Sequence, residues 1–352
     1  MKRAISLLLL SVGVVALGVN LLSPSAKPSK EDERLLKRAQ ATFKPLPDTP
    51  PSPESNPTTP EKVKLGKMLY YDPRLSKSGF ISCNSCHNLA TFGVDNQETS
   101  IGHRWQLGPR NAPTVLNAML HIAQFWDGRA KDLEEQAKGP IVNPVEMAMP
   151  DSTHAVEVIK SIPEYVDLFK KAFPDSKDPV TYDNIAKAIA AFERTLLSPS
   201  RFDRFLKGDV TALNKEEKEG LKLFMEKGCS ACHNGVAVGG QMYSKFGITK
   251  PYPSKDLGRY EVTKKESDKH VFKVASLRNV AVTYPYFHDG KVWKLEEAVR
   301  IMAELQLGTK LSDDEVKKIV AFLNTLTGDI PKEARELPVL PPSSPKTPKP
   351  QR

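Results

Sequence analysis

Apolar positions along this chain recur mostly with the period of a helix. A mostly apolar run covers residues 4–22, behind Lys2 and Arg3. Leu35, Leu36 and Ala39 then mark one side of a short amphipathic helix over 30–43. Residues 44–60 are rich in proline and serine and predict a linker or arm. Thr59-Pro60-Glu61 is a helix start, with a capping threonine, proline at the first position and an acid in the first turn. Val63, Leu65, Met68 and Leu69 form its apolar stripe. Asn214 and Glu217 make a second capping signature, followed by Leu221, Leu223 and Phe224. Lys187, Ile189, Ala191, Phe192, Thr195 and Leu196 recur 130 positions later as Lys317, Ile319, Ala321, Phe322, Thr325 and Leu326. Each half thus reads as an opening helix, a long insertion and a closing amphipathic helix, which predicts two fused domains of one type. Residues 202–208 are expected to connect them. Extended pieces are sparse, near 241–248 and 270–274, so the fold class is mainly α. Beyond Gly328 the tail is dense in proline and basic residues, and is expected to be disordered or draped over the surface.

The apolar run at the N-terminus changes the picture by fixing a compartment. With Lys2 and Arg3 before it and Ser23-Pro24-Ser25-Ala26 after it, residues 1–26 read as an export signal or an uncleaved single-span anchor. Both stay open, because Pro24 is a poor residue at position −3 of a cut after Ala26. Either way the bulk of the chain crosses a membrane, which implies the periplasm once covalent haem is accepted below. The formal charge is +9, with a pI near 9.2. Lysine and arginine runs with interleaved aromatics are absent, so composition argues against a nucleic-acid partner.

All four cysteines fall in two copies of one pattern, Cys83-Asn84-Ser85-Cys86-His87 and Cys229-Ser230-Ala231-Cys232-His233. Two thiols three positions apart followed by histidine suit c-type haem: each thiol forms a thioether with a vinyl group, and the imidazole reaches the iron. A single zinc ion held by both pairs would need them closer than 146 positions (229 − 83). A thioredoxin-like site lacks its βαβ context, and a disulfide framework suits shorter, cysteine-denser chains. Two covalent haems, one per half, are the expectation, and the expected division is 27–60 for helix and linker, 61–205 and 206–330 for two cytochrome c-like domains, and 331–352 for the tail.

Further motifs carry a resemblance. Leu65-Gly66-Lys67 leads to Asp72-Pro73-Arg74-Leu75-Ser76, then come Gly108-Pro109-Arg110-Asn111-Ala112-Pro113-Thr114, Phe125-Trp126-Asp127-Gly128-Arg129 and Asn143-Pro144-Val145-Glu146-Met147. The second half has Leu277-Arg278-Asn279-Val280, Pro285-Tyr286-Phe287-His288-Asp289-Gly290, and Gln306-Leu307-Gly308 after Met302. From about Leu65 to Gly328 the chain resembles the bacterial dihaem cytochrome c peroxidases, which include the maturation enzyme of methylamine dehydrogenase.

The resemblance implies roles that isolated residues would not. His103 would be the second axial ligand of the N-terminal haem at rest, and Met302 the sixth ligand of the C-terminal haem, whose potential a thioether raises. Glu146 would handle protons with Gln136 nearby, and Trp126 would assist electron transfer between the haems. Asn111, through its side chain, and Thr283 and Pro285, through their carbonyls, would hold a calcium ion. Read alone, His103 is a solvated loop histidine, Glu146 an exposed acid, and Met302 and Trp126 core residues. His121, His154 and His270 match no role and are expected as surface or packing residues, and the role of His288 is left unassigned. The implied function is reduction of hydrogen peroxide to water with electrons from a monohaem cytochrome c or a cupredoxin, in a homodimer. Two rivals remain: a same-fold oxidase of a protein or quinol, which in the maturation enzyme has tyrosine where Met302 sits, and a dihaem electron carrier without peroxide turnover.

Overall fold

The computed structural model describes residues 29–351, so the expected signal or anchor lies outside the described residues. The described part is mostly helical. The helices are α1 (Lys30–Thr42), α2 (Pro60–Tyr71), α3 (Cys83–Cys86), α4 (Leu133–Val142), α5 (Ser152–Lys160), α6 (Pro163–Ala172) and α7 (Tyr182–Arg194). They continue with α8 (Arg201–Leu206), α9 (Lys215–Glu226), α10 (Tyr260–Thr263), α11 (Leu295–Leu307), α12 (Asp313–Asn324) and α13 (Lys332–Arg335). One two-stranded antiparallel sheet pairs β1 (Tyr243–Lys245) with β2 (Val271–Lys273), within the two stretches expected to be extended.

The caps foreseen from sequence form. Thr59 Oγ1 accepts from Lys62 N, and Asn214 and Glu217 satisfy each other's backbone N–H groups, so orphan donors at both helix starts are paired. In the first half α2 crosses α7. A Cβ on Gly66 would lie 1.8 Å from Ala188 O and 3.0 Å from the Phe192 Cβ. In the second half α9 crosses α12, and a Cβ on Gly220 would lie 1.9 Å from Lys318 O and 2.9 Å from the Phe322 Cβ. Only glycine lets the backbones approach so closely. The opening helices are therefore equivalent through Gly66 and Gly220, 154 positions apart (220 − 66), while the closing helices keep the offset of 130.

Two cores result, one around Leu65, Tyr70, Phe169 and Phe192, the other around Phe43, Phe202, Leu221 and Phe322. Residues 202–208 do not form a free connection. Phe202, Phe205 and Leu206 on α8 are buried in the second core, so the boundary expected at 205/206 cuts a helix that belongs to one core. The reason is charge as well as packing: Asp203 is held by the fully buried Arg278 guanidinium through two 2.9 Å bonds.

The chain ends are exchanged between halves. Leu35 and Ala39 of α1 pack in the second core, and Leu46 N donates to Asp203 Oδ1 at 2.7 Å. The tail runs the other way. Arg74 donates to Pro341 O at 2.9 Å, Tyr71 to Ala334 O at 2.9 Å, and Gln351 N to Lys77 O at 2.8 Å. It is draped over the first half, ordered by hydrogen bonds that its proline content does not need to supply itself.

The halves meet about a pseudo-twofold axis. Asn117 and Asn279, both left-handed (φ 60° and 63°) and fully buried, each donate Nδ2 to Ser198 Oγ at 2.8 Å. Their backbones bond equivalent carbonyls, Asn117 N to Leu196 O and Asn279 N to Leu326 O. Asn117 and Asn279 are 162 positions apart (279 − 117), and the same offset relates Phe125-Trp126-Asp127-Gly128-Arg129 to Phe287-His288-Asp289-Gly290-Lys291. Phe125 and Phe287 both have positive φ, and the bridges Gln124↔Ala130 and Tyr286↔Val292 close the two matching turns. Across the axis Lys273 N donates to Trp126 O at 2.7 Å, and Asn111 N to His288 O at 2.8 Å, the mate of the first bond.

Candidate active site

The haem attachment sites are built alike. Cys83 and Cys86 share the single turn of α3, and Cys229 opens an equivalent turn ahead of Cys232. His87 Nδ1 lies 3.0 Å from Pro113 O and His233 Nδ1 lies 3.1 Å from Ala275 O. Facing a carbonyl, each Nδ1 must donate, which leaves Nε2 free as the iron ligand and fixes the ring's orientation. Burial holds both imidazoles below their ordinary pKa, His233 at about 4, so they stay neutral and able to ligate. Pro113 and Ala275 are again 162 apart (275 − 113).

Cys229, Cys232, His233 and Met302 line one largely apolar cavity, walled by Ile319 and Leu323 and extending to Trp126. This is a shape and chemistry that fit a haem attached at Cys229 and Cys232. Met302, the expected thioether ligand, lines the same cavity as His233. In the first half the same offset puts Pro140 of α4 at the place of Met302 (302 − 140), and proline offers no ligand. The two irons cannot be treated alike.

On that side the resemblance offers His103 as the second ligand. Its side chain is buried, with an Nδ1 that has no hydrogen-bond partner among the described residues. Burial, then Arg104 and Lys77, hold its pKa below the ordinary value. Its backbone N–H donates to Val145 O at 3.0 Å and Glu146 O at 2.9 Å, which brings the expected cap beside the expected acid/base. Gly102 makes this approach feasible, since a Cβ there would lie 1.9 Å from Val145 O. Arg104 and Trp105 follow with φ of 56° and 63°, a strained left-handed pair for bulky side chains.

The Glu146 carboxylate is partly buried and accepts a 2.7 Å hydrogen bond from Asn143 Nδ2. Burial raises its pKa, against the pull of Arg129 and Asn143. Gln136 lies on α4 and makes no side-chain hydrogen bond to Glu146 among the described residues. The amide that holds Glu146 is Asn143, three positions before it in the Asn143-Pro144-Val145-Glu146 motif, and sequence reading passed it over.

Trp126 Nε1 donates to Asn111 O at 2.9 Å, and its ring meets His288 edge-on at 6.3 Å between centroids. His288 is buried, stacked on Phe272 at 4.4 Å and bonded to Ser254 Oγ at 2.8 Å. By the 162 offset it is the mate of Trp126. Asn111, Thr283 and Pro285 all line the interdomain cavity, and Asn111 Nδ2 donates to Gln97 O at 2.9 Å. Among the described residues no three His, Cys, Asp or Glu side chains cluster as a metal site, so a cation here would depend on carbonyl and amide oxygens. His154 sits on α5 beside Glu157, His270 bonds Asp256 O, and His121 is packed beneath Gly240.

Two Cys-x-x-Cys-His sites in like helical settings, in two halves related by a pseudo-axis between Trp126 and His288, define a dihaem c-type cytochrome. The family model "Di-haem cytochrome c peroxidase" matches residues 60–211, and the model "Cytochrome c" matches residues 217–327. The chain is 53% identical over 338 residues to cytochrome c551 peroxidase of Pseudomonas aeruginosa, covering 94% of this chain and 96% of that protein. It is 57% identical over 300 residues to cytochrome c551 peroxidase of Nitrosomonas europaea, covering 84% and 88%. The methylamine utilization protein MauG of Methylorubrum extorquens is 37% identical over 90% of this chain and 91% of that protein. Among solved structures, a MauG-like protein associated with microbial copper homeostasis superposes with a TM-score of 0.76 at 30% identity, covering 83% of this chain and 98% of that one. The chain belongs to the di-haem cytochrome c peroxidase family and carries two covalently bound c-type haems.

Proposed function

We propose that the protein reduces hydrogen peroxide to water in the periplasm, with two electrons and two protons per peroxide. The electrons come singly from a small redox protein, a monohaem cytochrome c or a cupredoxin. When bound, the haems supply one-electron redox chemistry and an iron that binds peroxide. The chain supplies the unlike ligands, the proton handling and the path between the halves. Met302 favours the reduced state on the second side, which suits an electron-accepting site. From that cavity the route reaches Trp126, crosses its Nε1 hydrogen bond to Asn111 O, follows the backbone to Pro113, and crosses to His87 through Nδ1. Glu146, with a raised pKa and oriented by Asn143, takes a proton from one peroxide oxygen and returns it to the departing one.

The observation that carries this reading is the backbone pairing of His103 with Val145 and Glu146. It couples departure of the His103 cap to freeing of the acid/base, and the strained Arg104–Trp105 backbone supports a loop that rearranges. Ile101, Trp105 and Leu107 are exposed apolar residues on that same loop, which supports a homodimer meeting there. Asn111, Thr283 and Pro285 would hold a calcium ion through oxygens, stiffening the junction. Among the described residues no helix is long and apolar enough to cross a membrane, and the expected anchor, residues 4–22, lies outside them.

The test is peroxide-dependent oxidation of a reduced monohaem cytochrome c by fully oxidised and by half-reduced enzyme. Activity only after half-reduction is expected. Glu146→Gln should keep both haems and lose about 10²–10⁴-fold in turnover. Near-normal turnover in that variant would remove Glu146 from the mechanism, and none in the wild type with any donor would leave an electron carrier.

A further inference from the structure

Lys273 lines the cavity that contains Cys229, Cys232, His233 and Met302. The residue is only 8% exposed. Its side-chain partner is His121, with Nζ 3.3 Å from Nδ1. His121 Nε2 is buried without a partner. No ion pair to Lys273 is formed by any described carboxylate, and burial lowers its pKa to about 8. A buried cation without a counter-charge is unfavourable unless something absent from the chain supplies one.

The pseudo-axis gives Lys273 a counterpart in the first half. The offset of 162 maps Asn111 onto Lys273, His121 onto Thr283, and Ala123 onto Pro285. The mapping is structural, because Asn111 N and Lys273 N make mated bonds to His288 O and Trp126 O. The three positions expected to hold a calcium ion on one side of the axis therefore correspond, on the other, to a lysine, a histidine and an alanine. One side would carry an exchangeable cation and the other a cation built into the chain. With no protein carboxylate at Lys273, the anions available to it are the propionates of the haem in that cavity.

We propose that Lys273, positioned by His121, binds a propionate carboxylate of the second haem next to Trp126, as a permanent counterpart of the cation on the other side. The comparison of the two sides rests on the calcium reading. The carboxylate site itself rests on the buried, unmatched charge and stands without it. A cation held there opposes the negative charge of the propionate and so favours the reduced second haem at the end of the route to Trp126.

The experiment is a spectroelectrochemical titration of both haems in wild-type holoprotein, Lys273→Met and Lys273→Arg, with calcium and after chelation. Lys273→Met should lower the midpoint potential of the second haem and leave the first in place, with Lys273→Arg close to wild type. An unchanged second-haem potential in Lys273→Met, with both haems attached, would overturn the proposal. Should Lys273→Met fail to accumulate, the propionate bending bands in resonance Raman spectra of Lys273→Arg decide. A shift of those bands supports direct contact, and identical bands refute it. Chelation reports separately on the calcium reading, and peroxide turnover on the peroxidase reading, since neither enters the second-haem potential of the lysine variants.

Discussion

Ser198→Ala should loosen the junction between the two halves. The Ser198 hydroxyl is fully buried and accepts from both Asn117 Nδ2 and Asn279 Nδ2 at 2.8 Å. Both asparagines are themselves fully buried, so neither amide can turn to water without moving backbone. Their other contacts survive the substitution: Asn117 Oδ1 still accepts from Ser198 N at 3.0 Å, and Asn279 Oδ1 from Gly328 N at 2.9 Å. The loss is thus confined to two donors. Each buried donor left without an acceptor costs about 1–3 kcal/mol, so the substitution should cost roughly 2–6 kcal/mol if the halves hold their positions. If one half moves to let water in, the cost falls towards the lower figure and the halves unfold in separate steps. Denaturant unfolding of the holoprotein, followed by far-UV circular dichroism and by the absorbance of each haem, distinguishes these cases. Asn117→Ala and Asn279→Ala should resemble each other, because the pseudo-axis makes them mates. A loss below about 0.5 kcal/mol for Ser198→Ala, with haem transitions still coincident, would refute the assignment of Ser198 as the shared acceptor.

Two further outcomes are expected. Gly66→Ala and Gly220→Ala should each destabilise the protein by about 1–3 kcal/mol or more in thermal or denaturant unfolding, despite alanine's better helix propensity, because the added methyl would overlap Ala188 O or Lys318 O. A gain in stability would show that the helices are not in contact there. Glu193 is buried on α7, and burial, reinforced by Glu134 and opposed by Arg194, pushes its carboxyl up to about 8 from an ordinary 4.5. The folded state then binds the proton more tightly than the unfolded one, so stability should fall as pH rises from about 4.5 to 8, by up to ~1.4 kcal/mol per pH unit. Glu193→Gln should remove that slope, and an unaltered pH profile would show that Glu193 is ionised throughout.

The 130-position echo in the closing helices names two like domains without any geometry, because core-facing positions on equivalent helices need like residues. Buried position 193 shows the limit of that echo, since Glu193 is the mate of Leu323. The connection expected at 202–208 was misplaced because a short stretch of charged and aromatic residues does not reveal its partner. Arg278, which buries Asp203, lies 75 positions away. Asn143 went unrecognised as the support of Glu146 for a similar reason. An asparagine before a proline reads as a turn, and its second task is visible only when the carboxylate is placed.

Two Cys-x-x-Cys-His motifs and their helical frames follow from the sequence alone, since thioether attachment and proximal ligation require residues adjacent in the chain. So do the caps that start the helices. The relation between the halves was decided only by tertiary structure. His103 beside Glu146, Trp126 against His288, Lys273 against His121, and Asn117 with Asn279 on one hydroxyl all join residues tens of positions apart or more than a hundred. Such contacts obey no local period. They exist because each half buries a surface that is complete only when the other, rotated about a common axis, is placed against it.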